Sequence, residues 1–87
     1  MKKQDWKDLK EKLEVYAFDE FDWANEIIEL CPTEYPILIE SNGTGGYVVS
    51  EDVETEDDQY YLEIYPYWDE DTGVMYIDKV DMYKFRK

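Results

Sequence analysis

Apolar and polar residues follow two rhythms along this chain, helical in the first third and strand-like in the remainder. Trp6, Leu9, Leu13, Tyr16 and Ala17 recur every three or four residues, the spacing that lines one side of an α-helix. Asp5 is placed to cap that helix, and Asp8 three residues on completes a weak capping-box pattern. Lys7, Lys10 and Glu14 take the wet side. A second helix is expected from Asp19. Asp19 acts as its cap, Asp22 stands three residues on, and Phe18 and Trp23 are placed for a hydrophobic staple. Phe21, Ala24, Ile27, Ile28 and Cys31 supply its apolar stripe, and Pro32 ends it.

Beyond Pro32 the pattern turns to β-branched and aromatic runs, which predict strands over 35–41, 47–53, 60–68 and 74–85. The segment 42–46 (Asn-Gly-Thr-Gly-Gly) reads as a turn, because glycine and asparagine accept positive φ. An acidic loop, 54–59, separates the second strand from the third, and 69–73 joins the last two as a hairpin. Pairing Trp68 with Val74 sets Glu63 opposite Lys79, a favourable cross-strand pair. Pro66 implies that the third strand is an edge or is bulged there. The expected fold class is α+β, with two N-terminal helices packed on one face of a four-stranded antiparallel meander sheet. Residues 1–87 form a single small acidic domain, near the lower size limit for independent folding.

Charge changes this picture most. From Leu13 to Asp78 there is no Lys, Arg or His, while 19 positions are Asp or Glu. The nine basic residues lie at the two ends, and the net charge is −14. Such composition alone points to disorder, but hydrophobic residues at 44% and aromatics at 17%, spread over the whole length, point to a folded core. A folded domain so charged opposes its own compaction, so the field itself is expected to be useful, and its natural counterpart is a strongly positive surface.

Three groups of acids stand out. Asp22, Glu26 and Glu29, at i, i+4 and i+7, share one helix face opposite Ile27 and Ile28. The plain reading is a solvated face, but solvated faces ordinarily mix Glu with Lys and this one does not. The second group is Glu51, Asp52, Glu54, Glu56, Asp57 and Asp58, and the third is Asp69, Glu70 and Asp71. Same-face carboxylates lie about 6.8 Å apart on a strand and about 5–6 Å apart at i, i+4 on a helix. Carboxylates on rigid elements thus approximate the phosphate track of a nucleic acid. Tyr65 and Tyr67 share a strand face with Glu63 and can stack on arginine; taken singly, each tyrosine reads as sheet cover.

Other chemistry finds little support. Asp69-x-Asp71-x-Gly73 opens like a calcium loop, but a ligand position falls on Gly73 and the bidentate position on Val80, so no metal site is expected. Gly43-x-Gly45-Gly46 has no lysine and is no phosphate loop. There is no histidine, serine occurs only at Ser41 and Ser50, and Cys31 at a helix C-terminus reads as a buried structural thiol. No catalysis and no cofactor are expected. One cysteine permits no internal disulfide, and the apolar runs are far too short to span a bilayer, which together favour the cytoplasm, that of a bacterial host if the gene is carried by a phage.

In size, charge and tyrosine-rich composition the chain resembles the counter-defence proteins of phages and mobile elements as a class. These include anti-restriction proteins, inhibitors of uracil-DNA glycosylase and some anti-CRISPR proteins. The resemblance rests on composition and transfers no residues. It implies an acidic DNA-mimic inhibitor that blocks the channel of a nuclease or other DNA-binding enzyme. The partner is then a basic nucleic-acid-binding protein, with no direct contact to nucleic acid or membrane. The alternative is an immunity protein or antitoxin that neutralises a basic nuclease toxin. The candidate partner-binding residues are the three acid groups with Tyr65 and Tyr67.

Overall fold

The computed structural model describes residues 1–53 and 59–85. Helix α1 (Lys3–Val15) turns Trp6, Leu9 and Leu13 to one side, and each is at most 1% exposed. It begins ahead of the expected cap. Lys2 is the N-cap residue, and Asp5, three positions in, accepts the Lys2 N–H at 2.9 Å. The acid therefore satisfies an orphan donor of the first turn from inside the helix.

The first departure from the sequence expectation follows directly. Residues that were expected to lead into the second helix form a short strand, β1 (Ala17–Asp19), with Phe18 buried beneath it. Asp19 is not the helix cap: its side chain accepts the Phe21 N–H at 2.8 Å and its own N–H donates to Glu26 at 2.8 Å. Helix α2 (Trp23–Leu30) starts four residues later than Asp19, with Asp22 at the N-cap. The expected stripe narrows accordingly. Ile27 is fully buried, but Phe21 is 90% exposed on the turn and Ile28 also faces solvent. Leu30, absent from that stripe, packs against the core.

Strands β2 (Ile37–Ser41), β3 (Tyr47–Glu51), β4 (Tyr60–Asp69) and β5 (Val74–Lys84) are the predicted meander. With β1 they make a five-stranded antiparallel sheet in the order β1-β5-β4-β3-β2. The α+β class therefore stands, with a fifth strand added on the far side of β5.

The β4–β5 register differs from expectation by one residue at the turn. Asp69 faces Val74 and Trp68 faces Met75. A bulge between Tyr65 and Pro66 then shifts the pairing again, so Tyr65 faces Lys79 and Glu63 faces Asp81. The anticipated Glu63–Lys79 pair is replaced by two carboxylates facing each other. Pro66 accounts for the irregularity, since it has no N–H to give the ladder. It also lies beyond the stretch of β4 that pairs with β3, which ends at Ile64.

Both helices lie on one face of the sheet. Trp6, Leu9, Leu13, Phe18 and Ile27 meet Val49, Leu62, Ile64, Met75, Ile77 and Val80 in a single core. Trp23 joins α2 to the sheet through edge-on contacts with Tyr47, at 4.9 Å between ring centroids, and Trp68, at 6.5 Å. Gly46 permits a close approach at the β2–β3 turn: a Cβ there would stand 2.7 Å from the Ile64 carbonyl oxygen. Among the described residues no helix is long and apolar enough to cross a membrane.

Candidate acidic and aromatic binding surface

Strand alternation decides which side chains face away from the helices. On β4 the buried residues Leu62 and Ile64 point inward, which places Tyr61, Glu63 and Tyr65 on the outer face. The extra residue of the bulge, Asp78, lies on β5, so alternation along β4 is unbroken and Tyr67 and Asp69 stay on that face, each with an exposed or half-buried side chain. The outer face of β4 therefore reads Tyr, Glu, Tyr, Tyr, Asp along about 30 Å of strand. Tyr65 and Tyr67, expected to share a face with Glu63, do so.

Neighbouring strands extend this surface. Glu40, Val48, Glu63 and Asp81 stand in one row across β2, β3, β4 and β5. The Tyr65 hydroxyl donates to Glu63 at 2.7 Å and accepts from Asn42 Nδ2 at 3.2 Å, which fixes both ring and carboxylate. Lys79 bridges to Asp81 at 3.3 Å, and its ammonium lies 5.8 Å from the centre of the Tyr65 ring. That hydrogen bond and the Asp81 charge raise the Lys79 ammonium above its ordinary value. Asp81, then burial and Glu63, push the Tyr83 hydroxyl up as well. Tyr83 stacks on Tyr61 at 5.4 Å, and Phe85 meets Tyr61 edge-on at 6.3 Å. Beside them an open groove of about 600 Å3 is lined by Glu40, Val48, Ser50, Tyr61, Glu63, Lys84 and Phe85.

The outer face leads into an acidic end. β1 pairs with β5 so that Asp19 faces Val74, and Glu20 donates its N–H to the Gly73 carbonyl at 3.2 Å. This pairing brings the β1–α2 turn against the β4–β5 hairpin. Glu20 thereby lies against the hairpin that carries Asp69, Glu70 and Asp71, with Asp19 and Asp22 on either side of it in the chain and Glu26 tied to Asp19 from the first turn of α2. Among the described residues none of these seven carboxylates is in a salt bridge. Local bonds hold several of them. Glu26 accepts the Asp19 N–H, Asp22 accepts Asn25 Nδ2 at 2.9 Å, and Asp69 accepts the Asp71 N–H at 3.1 Å. Phe21, Tyr67, Trp68 and Tyr76 are exposed around them.

The expected groups thus fare differently. Asp22 and Glu26 lie at the start of α2, just past the turn whose Glu20 bonds Gly73 of the β4–β5 hairpin, while Glu29 is exposed three residues beyond Glu26. Glu51 leaves the set of accessible acids. Its side chain is only 7% exposed, Oε1 lies 2.6 Å from the Met1 amino group, and Oε2 accepts the Thr33 hydroxyl. Asp52 is exposed, next to the strand end. Glu54, Glu56, Asp57 and Asp58 lie outside the described residues. Four acids were not singled out from the sequence: Asp19, Glu20, Glu40 and Asp81. Glu40 and Asp81 follow from strand alternation once the register is known. Asp19 and Glu20 follow only from β1, whose three residues carry no periodic signal.

Among the described residues no group of three or more Asp, Glu, Cys or His could hold a metal ion. Cys31 is buried, its Sγ donates to the Ile27 carbonyl at 3.3 Å, and burial followed by the Glu51 charge pushes its thiol up to about 11. No protein-family model, curated protein or solved structure matches the chain.

Proposed function

We propose that the protein is an acidic inhibitor that takes the place of nucleic acid on a basic protein, most naturally a nuclease or another DNA-binding enzyme. One observation carries the reading. Two acid groups about fifty residues apart in sequence meet at one end of the sheet, unpaired by cations and framed by exposed aromatics. A patch that served only solubility would have no reason to converge or to be stiffened by hydrogen bonds. Carboxylates held this way present a concentrated negative charge, steer a positive partner, and exclude DNA from the surface they cover. The tyrosines supply contact area at low entropic cost and flat faces for arginine. The reading assigns no catalytic step to the chain.

The test is capture from a lysate of the native host at low salt on immobilised protein, followed by elution with duplex DNA. The expected result is a nucleic-acid-binding protein that leaves the beads when DNA is added and whose activity the soluble protein inhibits. Partners that ignore DNA would overturn the reading.

A further inference from the structure

The strand order leaves β2 at one edge of the sheet. β2 lies last in the strand order, and its pairing with β3 fixes which of its backbone groups are used. Asn42 donates to the Gly46 carbonyl at 3.0 Å and Asp52 to the Pro36 carbonyl at 2.8 Å. Hydrogen-bonded pairs alternate along an antiparallel ladder, so Leu38 and Glu40 share that set. Ile37, Ile39 and Ser41 then turn their N–H and C=O groups away from β3. Among the described residues no hydrogen bond to these three N–H groups is seen. β1, at the opposite edge, is three residues long.

We propose that β2 receives an extended basic segment of the partner, which adds to the sheet as a sixth strand. The proposal rests on the reading of the partner as a basic protein and adds how a segment of it is held. Exposed edges are usually blunted by lysine, proline or a bulge. β2 contains none of these, and its only charge is Glu40. A strand docked there lies about 4.8 Å away, with alternate side chains beside Leu38 and Glu40 on the outer face and the Glu40–Glu63 groove within reach of a long cation. Charge selects the occupant. A second copy would bring −14 against −14, whereas an arginine-bearing strand meets a stretch of 66 residues without a single cation. Main-chain bonds then supply affinity and the alternating cations supply selectivity.

The test uses two peptides of equal charge, one of four Arg–Val repeats and one of four Arg–Pro repeats. The second cannot offer a ladder of N–H donors. Affinities are measured by titration, and amide hydrogen exchange of the intact protein is followed residue by residue. The proposal expects the Arg–Val peptide to bind at least tenfold tighter and to slow exchange at Ile37, Ile39 and Ser41. Equal affinity without protection at β2 would overturn the added strand while leaving the acidic-surface reading intact. Failure of both peptides to bind at low salt would overturn both. Protection of the same amides without peptide, rising with protein concentration, would assign the edge to a second copy and overturn the basic occupant.

Discussion

Glu51 separates the part of the acidity that builds the fold from the part that faces a partner. Its carboxylate bridges the Met1 amino group, 2.6 Å away in a part-buried pair, and the hydroxyl of Thr33 on the α2–β2 connection. Replacing it by alanine leaves a part-buried cation without its partner and Thr33 without its acceptor. Removing one partner of a buried pair costs about 3–5 kcal/mol, a large share of the roughly 5–15 kcal/mol that stabilises a typical domain. Glu51→Gln keeps the volume and an acceptor for Thr33, so only the charge-assisted bond is lost, about 1.5–3 kcal/mol. For a chain of this size that lowers the melting temperature by about 6–24 °C. Urea unfolding followed by circular dichroism reads the loss as a shift in midpoint at constant slope. Because the pair is part-buried, most of the deficit persists when salt is raised. A Glu51→Gln protein as stable as the parent would refute the reasoning. If it also lost its partner, Glu51 would belong to the binding surface after all.

Other consequences are independent of Glu51. In the unfolded chain the Cys31 thiol ionises near its ordinary 9.0, and in the fold only near 11. Between those values the unfolded chain releases the proton first, so stability falls as pH rises, by about 2–3 kcal/mol in all; Cys31→Ala should remove that share of the alkaline loss in denaturant titrations at pH 8 and pH 10.5. Stability should rise with sodium chloride, because screening relieves repulsion along the cation-free stretch, and flat melting curves across salt would show that the acids are compensated individually. Gly46→Ala should cost about 1–3 kcal/mol, since its Cβ meets the Ile64 carbonyl at 2.7 Å; an unchanged unfolding midpoint would contradict the close approach. The protein should show no band shift with duplex DNA at physiological salt, and a submicromolar sequence-specific complex would remove the basis for mimicry.

Most of the fold was legible because its signals are local. Helix α1 announces itself by the spacing of Trp6, Leu9 and Leu13, and the four long strands by their β-branched and aromatic runs between turn residues. What escaped depends on contacts distant in sequence. β1 is a strand only because β5 offers it an edge, and burying Phe18 outweighs the local tendency of 19–22 to begin a helix. The β4–β5 register depended on a bulge that Pro66 hinted at without fixing its offset, so the partner of Glu63 was misjudged. The acidic surface was half legible. Clustering in sequence located 69–71 and the α2 acids, but their meeting at one end required β1. Clustering was also misleading at Glu51, where the position at a strand end beside the N-terminus, and not the local density of charge, decides its role.

The central claim is that the acidic end competes with nucleic acid for one basic surface. The direct measurement is a titration of the captured partner with the protein at rising concentrations of duplex DNA, repeated with a Glu70→Lys, Asp71→Lys variant. Both side chains are exposed and neither makes a hydrogen bond that the fold needs. The account predicts that the apparent dissociation constant rises linearly with DNA concentration from its value without DNA. It also predicts that the variant, folded as the parent by circular dichroism, binds more weakly by about 2–3 kcal/mol, or roughly 30- to 150-fold. Affinity indifferent to DNA, or a variant that binds as well as the parent, would contradict it.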